Sequence, residues 1–197
     1  MVMYSISEGQ LNVEWSKFCT KFSEVGLDKF YNMDELMAEM SVSPCTTNEE
    51  SGVAYKGALI VHIMMLLGLS QRLAKMISGT FEIDDASLTK VCLLAHLSKR
   101  SMFEESTNDW DIKRGYPFKF KETGTVLKTG ERSILEAMNK GVKLTPEEYE
   151  AIRAIDEDDP SKRPFQGIMA TVLRQANDLA YSIEKERYKK IKNNNNA

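Results

Sequence analysis

Apolar residues recur along this chain at spacings of three and four, the interval at which side chains share one face of an α-helix. Leu11, Trp15, Phe18, Cys19 and Phe22 form the first such face, and Gly26 ends it. Asn32 or Asp34 caps a short second helix with Leu36, Met37 and Met40 on its apolar side, and Pro44 stops it. Residues 41–52 are turn-forming by composition. Tyr55 to Ile77 is apolar nearly all round in its first half, which predicts a helix at the centre of the domain. Asp84 or Asp85 caps the next run, where Leu88, Val91, Cys92 and Ala95 keep the helical period. Leu93, Leu94 and Leu97 fill its other faces, so this helix, closed by Lys99 and Arg100, is predicted to be central too.

From Ser101 to Lys128 the periodicity disappears, and Tyr116 to Phe120 followed by Gly124 makes at most a short strand or hairpin. Regularity returns at Thr129, with Ile134, Leu135 and Met138 as an apolar face and Asn139-Lys140-Gly141 as the stop. Thr145-Pro146-Glu147-Glu148 is a capping box with proline at the first helical position, which predicts a helix from Pro146 to about Ile155. Asp156 to Pro160 breaks it. Phe165, Ile168, Met169, Val172, Leu173, Ala176, Leu179, Ala180 and Ile183 then mark a long amphipathic helix. The expected architecture is all-α, with a long irregular insertion at about 101–128 and little or no β structure. An N-terminal helical segment at 1–43, a main helical domain at 44–188 and a disordered tail at 189–197 complete the expected plan.

Composition narrows the function classes. At 197 residues, 42% hydrophobic and 28% charged, the chain suits one soluble domain. A net charge of −3 argues against extended nucleic-acid binding. Cys19, Cys45 and Cys92 are odd in number and in no paired motif, which points to a reducing cytoplasm. The run Gly57 to Leu69, thirteen residues long, is short of a membrane span, so no membrane is expected. Eleven methionines, among them Met33, Met37, Met40, Met64 and Met65, predict adaptable packing, with a Met-rich partner groove as the alternative. Asp156 to Asp159 lacks the glycine-turned spacing of a calcium loop and reads as solvated. Lys113, Arg114, Lys119 and Lys121 among Tyr116, Phe118 and Phe120 read as a loop tied to the core rather than a single-strand binder.

Only two histidines exist, His62 and His96, and both fall in the central helices. Each alone reads as a hydrogen-bonded core residue; together with a carboxylate such as Asp178 they could form a two-histidine, one-carboxylate metal site. Periodicity sets Asp178 with Arg174, Ser182 and Lys185, off the apolar stripe of Phe165, Val172, Ala176 and Ile183.

Five blocks in order carry a wider pattern: Gly57-Ala58-Leu59-Ile60-Val61-His62, Leu93 to Lys99, Leu127 to Ser133, Leu144 to Glu148 with Ala151-Ile152-Arg153, and Ala176-Asn177-Asp178-Leu179-Ala180. Over roughly residues 44–183 they resemble the HD-domain metal-dependent phosphohydrolase superfamily. The resemblance implies metal ligands at His62 and Asp178 and places the family's histidine–aspartate pair on Ala95 and His96, where it is lost. The accessory histidines fall on Thr129 and Ile155 and are lost as well.

The expectation is therefore a catalytically inactive HD-like domain serving as a binding or structural module with no cofactor. A phage or mobile-element accessory or virion protein, in host cytoplasm or virion, fits its character. A protein partner or homo-oligomer is expected, contacted through Trp15 and Phe18 of the N-terminal helix, with nucleotide as a lesser candidate ligand. The alternative is a phosphohydrolase acting on nucleotides or phosphomonoesters, with a divalent metal on His62, His96 and Asp178 and with Lys99 or Arg153 neutralising phosphate.

Overall fold

Helix ends fall where side chains can satisfy the free backbone groups of a first turn. Ser7 and Gln10 form a capping box that opens α1 (Glu8–Glu24), Asn32 caps α2 (Met33–Val42), Asp84 caps α4 (Asp85–Ala95) and Thr145 caps α7 (Pro146–Ala154). Between them lie α3 (Ala58–Ile77), α5 (Asp109–Lys113) and α6 (Thr129–Asn139), and α8 (Ile168–Asn195) closes the order. The structure, a computed structural model, describes residues 6–122, 126–157, 161 and 166–195. The fold is all-α, with one small two-stranded sheet among the described residues.

A single apolar core runs through these helices. Phe18 and Phe22 of α1 and Leu36 and Met40 of α2 join Leu59, Ile63 and Leu66 of α3, Leu93 and Leu94 of α4, and Leu173 and Ala176 of α8. The N-terminal segment thus shares its core with the rest. The same packing draws in both aromatic residues expected to meet a partner, Trp15 being half-buried. Phe18 is fully buried, its ring stacked with those of Trp15 at 5.3 Å and Phe22 at 4.9 Å, and Phe22 meets Tyr31 edge-on at 5.4 Å.

Three other expectations change. The apolar run through Lys99 is not one helix: α4 stops at Ala95, and Leu97–Ser101 continues as a 3₁₀ turn with His96 between them. On α6 the buried face is Gly130, Ser133, Ile134 and Ala137, leaving Leu135 and Met138 about half exposed. Gly130 sets that face, because a Cβ there would overlap the Ile152 carbonyl oxygen of α7. The helix α8 runs through positions 189–195, where composition predicts fraying. Phe165 and Asp158 to Pro160 lie outside the described residues.

The insertion at 101–128 contains an antiparallel pair, β1 (Phe103–Glu105) with β2 (Phe118–Phe120), in register Phe103 to Phe120 and Glu105 to Phe118. Phe103 and Phe118 are buried, and the Phe103 ring lies 4.9 Å from that of Phe120 across the pair. Asp156 is drawn into the fold: its carboxylate accepts the Gly130 N–H at 2.7 Å, capping the positive end of α6. By length and apolar composition α3 could cross a membrane, being longer than its most apolar stretch suggests; here one face of it packs into the core.

Candidate functional site

Several buried polar groups of this bundle meet where α3, α8 and the end of α4 come together. His62 on α3 has no exposed surface, and His96, at the junction of α4 and the 3₁₀ turn, has 1%. Their rings are 5.1 Å apart. From α8 come Asn177, Tyr181 and Glu184, spaced four and three residues apart on its inward face.

Hydrogen bonds join these groups. The Asn177 amide oxygen lies 3.1 Å from His62 Nε2 and 2.9 Å from His96 Nε2, so both imidazoles converge on one acceptor. His62 Nδ1 meets the Glu184 carboxylate at 2.8 Å. Both His62 ring nitrogens thus face side-chain oxygens, one of an amide and one of a carboxylate. His96 donates from Nε2 alone, and its Nδ1 has no partner among the described residues. Burial, then the nearby Lys99 and His62 charges, hold the His96 pKa well below the usual histidine range, against the opposing bond to Asn177.

A second layer sits beside the first. Lys99 Nζ donates to Tyr181 Oη at 2.8 Å and to the Cys45 carbonyl at 3.1 Å. Tyr181 Oη in turn lies 3.2 Å from Cys45 Sγ, and its ring lies 4.3 Å from that of His62. Burial pushes the Cys45 thiol and the Tyr181 phenol up, away from their ionised forms. The turn ahead of α3 approaches α8 closely at Gly52, whose φ of +82° and contact with the Glu184 carbonyl leave no room for a side chain. Below the histidines, Ser98 N donates to Ser133 Oγ at 3.2 Å and Ser98 Oγ to the Thr129 carbonyl at 3.0 Å, tying the 3₁₀ turn to α6.

The structure brings together two of the three candidate metal ligands. Asp178 points outward, its side chain 64% exposed and its carboxylate 3.9 Å from the Arg174 guanidinium. Among the described residues no three His, Cys, Asp or Glu side chains form a ligand cluster. The donor set does not fit a divalent cation: a neutral amide oxygen holds the point on which both Nε2 atoms converge, and an ammonium group, Lys99, lies in the adjacent layer. Lys99 is buried and committed to Tyr181 and Cys45, while Arg153 lies exposed on the outer side of α7. The two proposed phosphate-neutralising groups are therefore not arranged around a common open site.

Sequence reasoning missed Asn177, Tyr181 and Glu184. The signal was present, because Leu173, Asn177, Ala180 and Glu184 continue one stripe at spacings of four, three and four. Centring the stripe on Phe165 and Ile183 shifted it off these residues; Ile183 is half-buried and Leu179 is 43% exposed.

Comparison with protein-family models, with curated proteins and with solved structures found no match.

Proposed function

We propose that this chain is a catalytically inert, HD-like helical domain that works as a binding or structural module. The observation that carries this reading is the Asn177 amide between the two imidazoles. Both Nε2 atoms that a metal would use are spent on one side-chain oxygen, and the carboxylate expected to complete the ligand set faces solvent. The network holds the helices in register: His62, His96 and Asn177 join α3, α4 and α8, and Lys99 joins the 3₁₀ turn to α8 and to the segment before α3. Hydrolysis of a phosphate ester needs a cation or a hydroxide-generating group in reach of solvent, and these groups are sealed inside.

Elemental analysis of protein purified without chelator tests the reading. The expected result is substoichiometric zinc, iron and manganese, and no turnover of a nucleotide and phosphomonoester panel with added manganese. Stoichiometric metal that vanishes in His62→Ala, with hydrolysis that vanishes alongside it, overturns the reading.

A further inference from the structure

Helix α3 is apolar from Ala58 to Leu69 apart from His62 and Gly68, yet the core does not take all of this apolar surface. Its outward side, with α1 and α8, bounds a groove of about 450 Å³ whose floor is Val61, Met64, Met65 and Leu69 of α3 and Ile183 of α8. All five are half-buried, so the apolar surface is recessed rather than protruding. From Val61 to Arg72 the groove follows twelve residues of helix, about 17 Å at the rise of an α-helix. Gly68 lies in the middle of this stretch, and a Cβ added to it would meet nothing within 4 Å. Glycine inside a helix costs about 1 kcal/mol relative to alanine, and what it offers here is close approach of another backbone.

The rim of the groove is cationic. Lys17 is matched by Glu14 at 2.7 Å, but Arg72 on α3 and Arg187 on α8 form no ion pair or hydrogen bond among the described residues. An occupant that satisfies this surface is long, apolar on one side and negatively charged at its edges. Methionines on the floor can repack around the anchors of such an occupant. A flat bilayer does not reach a recessed floor between three helices, whereas the side chains of a helix laid into it do.

We propose that the groove between α1, α3 and α8 docks an acidic amphipathic helix of a partner protein, its apolar side chains on Met64, Met65 and Leu69 and its carboxylates on Arg72 and Arg187. The helix passes over Gly68, with apolar anchors at successive turns in the helix-in-groove mode. This rests on the reading of the chain as a binding module and names the chemistry of what it binds. Metal content and turnover decide that reading separately from any peptide binding, so the two fail independently.

The test uses two fluorescein-labelled peptides of equal length with leucine at the i, i+3, i+4 and i+7 positions. One carries glutamates at the edges and the other carries lysines. Fluorescence anisotropy with the full chain is expected to show the acidic peptide binding at least about tenfold tighter than the basic one. The preference reverses in Arg72→Glu/Arg187→Glu, and Gly68→Leu abolishes binding while thermal melting shows both variants folded. Equal binding of both peptides, or binding of neither, overturns the proposal. So does sedimentation with phosphatidylserine-containing vesicles that Arg72→Glu/Arg187→Glu abolishes, which assigns the face to a membrane. A dimer in analytical ultracentrifugation that Gly68→Leu dissociates assigns it to a second copy and equally overturns the proposal.

Discussion

Replacing Asn177 by alanine is the most direct test of the buried network. The substitution removes the shared acceptor of two imidazole N–H groups, at 3.1 and 2.9 Å, in a place water does not reach. A buried donor left without a partner costs about 1–3 kcal/mol. Two such donors give a loss of about 2–6 kcal/mol before any cavity is counted. Domains of this size are stable by about 5–15 kcal/mol, so the loss is a large fraction of the whole. In urea, with a slope of about 2 kcal/mol/M, a loss of 4 kcal/mol moves the midpoint down by about 2 M. The control is Gln175→Ala, at an exposed position of the same helix, which is expected to stay within about 0.5 kcal/mol of the native protein. A midpoint shift for Asn177→Ala no larger than that of the control refutes a structural role for the amide. A native midpoint that falls on adding EDTA refutes it in a different way, by showing that a cation holds the histidines.

Stability is expected to depend on pH through His96. The unfolded chain takes up a proton below about pH 6.5 while the buried ring stays neutral, so the unfolded state binds more protons and stability falls as pH drops from 6.5 toward 5, by up to about 1.4 kcal/mol per unit. Urea midpoints across that window check this, and His96→Gln should flatten the slope; an unchanged slope sinks the assignment. Two glycine substitutions should act oppositely. Gly130→Ala forces α6 from the Ile152 carbonyl and should cost about 1–3 kcal/mol, whereas Gly68→Ala meets open space and should stabilise by up to about 1 kcal/mol, both read from thermal melting. Of the three thiols, half-buried Cys19 should react with Ellman's reagent in the native protein, and Cys45 and Cys92 only after unfolding. Both are buried, with the Cys92 pKa pushed up to about 12. Fast reaction of more than one thiol refutes this.

Local chemistry made most helix boundaries legible. Asn32, Asp84 and Thr145 cap where composition places them, because an N-cap depends only on residues within one turn. The end of α4 was not legible. Leu93 to Leu97 is buried throughout, His96 included, and periodicity carries no information in a run that is buried on all sides. The β pair was half legible, since Tyr116 to Phe120 reads as a strand but its partner at Phe103 is set by long-range pairing. Asp156 illustrates the same limit. As part of an acidic run it looks solvated, and only the approach of Gly130 from 26 residues earlier turns it into a cap. Within the candidate site, His62 and His96 stood out as the only histidines of the chain. Asn177 and Glu184 did not, because a polar residue on a buried stripe looks like an interruption until its partner is known.

The register of α8 links the fate of the site to the fold. Asn177 and Asp178 are neighbours separated by about 100° around the helix axis. Bringing the Asp178 carboxylate to the two imidazoles means turning α8 by that angle, which would withdraw Leu173, Ala176 and Ala180 from the core. Burying one leucine side chain is worth about 1.5–3 kcal/mol, so the rotation opposes packing over several turns at once. It would also carry Glu184 away from His62 and break the close approach at Gly52. The stripe that packs the core and the stripe that meets the histidines are one and the same. No local adjustment can therefore exchange the amide for the carboxylate without unpacking the bundle. The outer faces are untouched by this constraint, and there α3 leaves an apolar, arginine-edged surface outside the core.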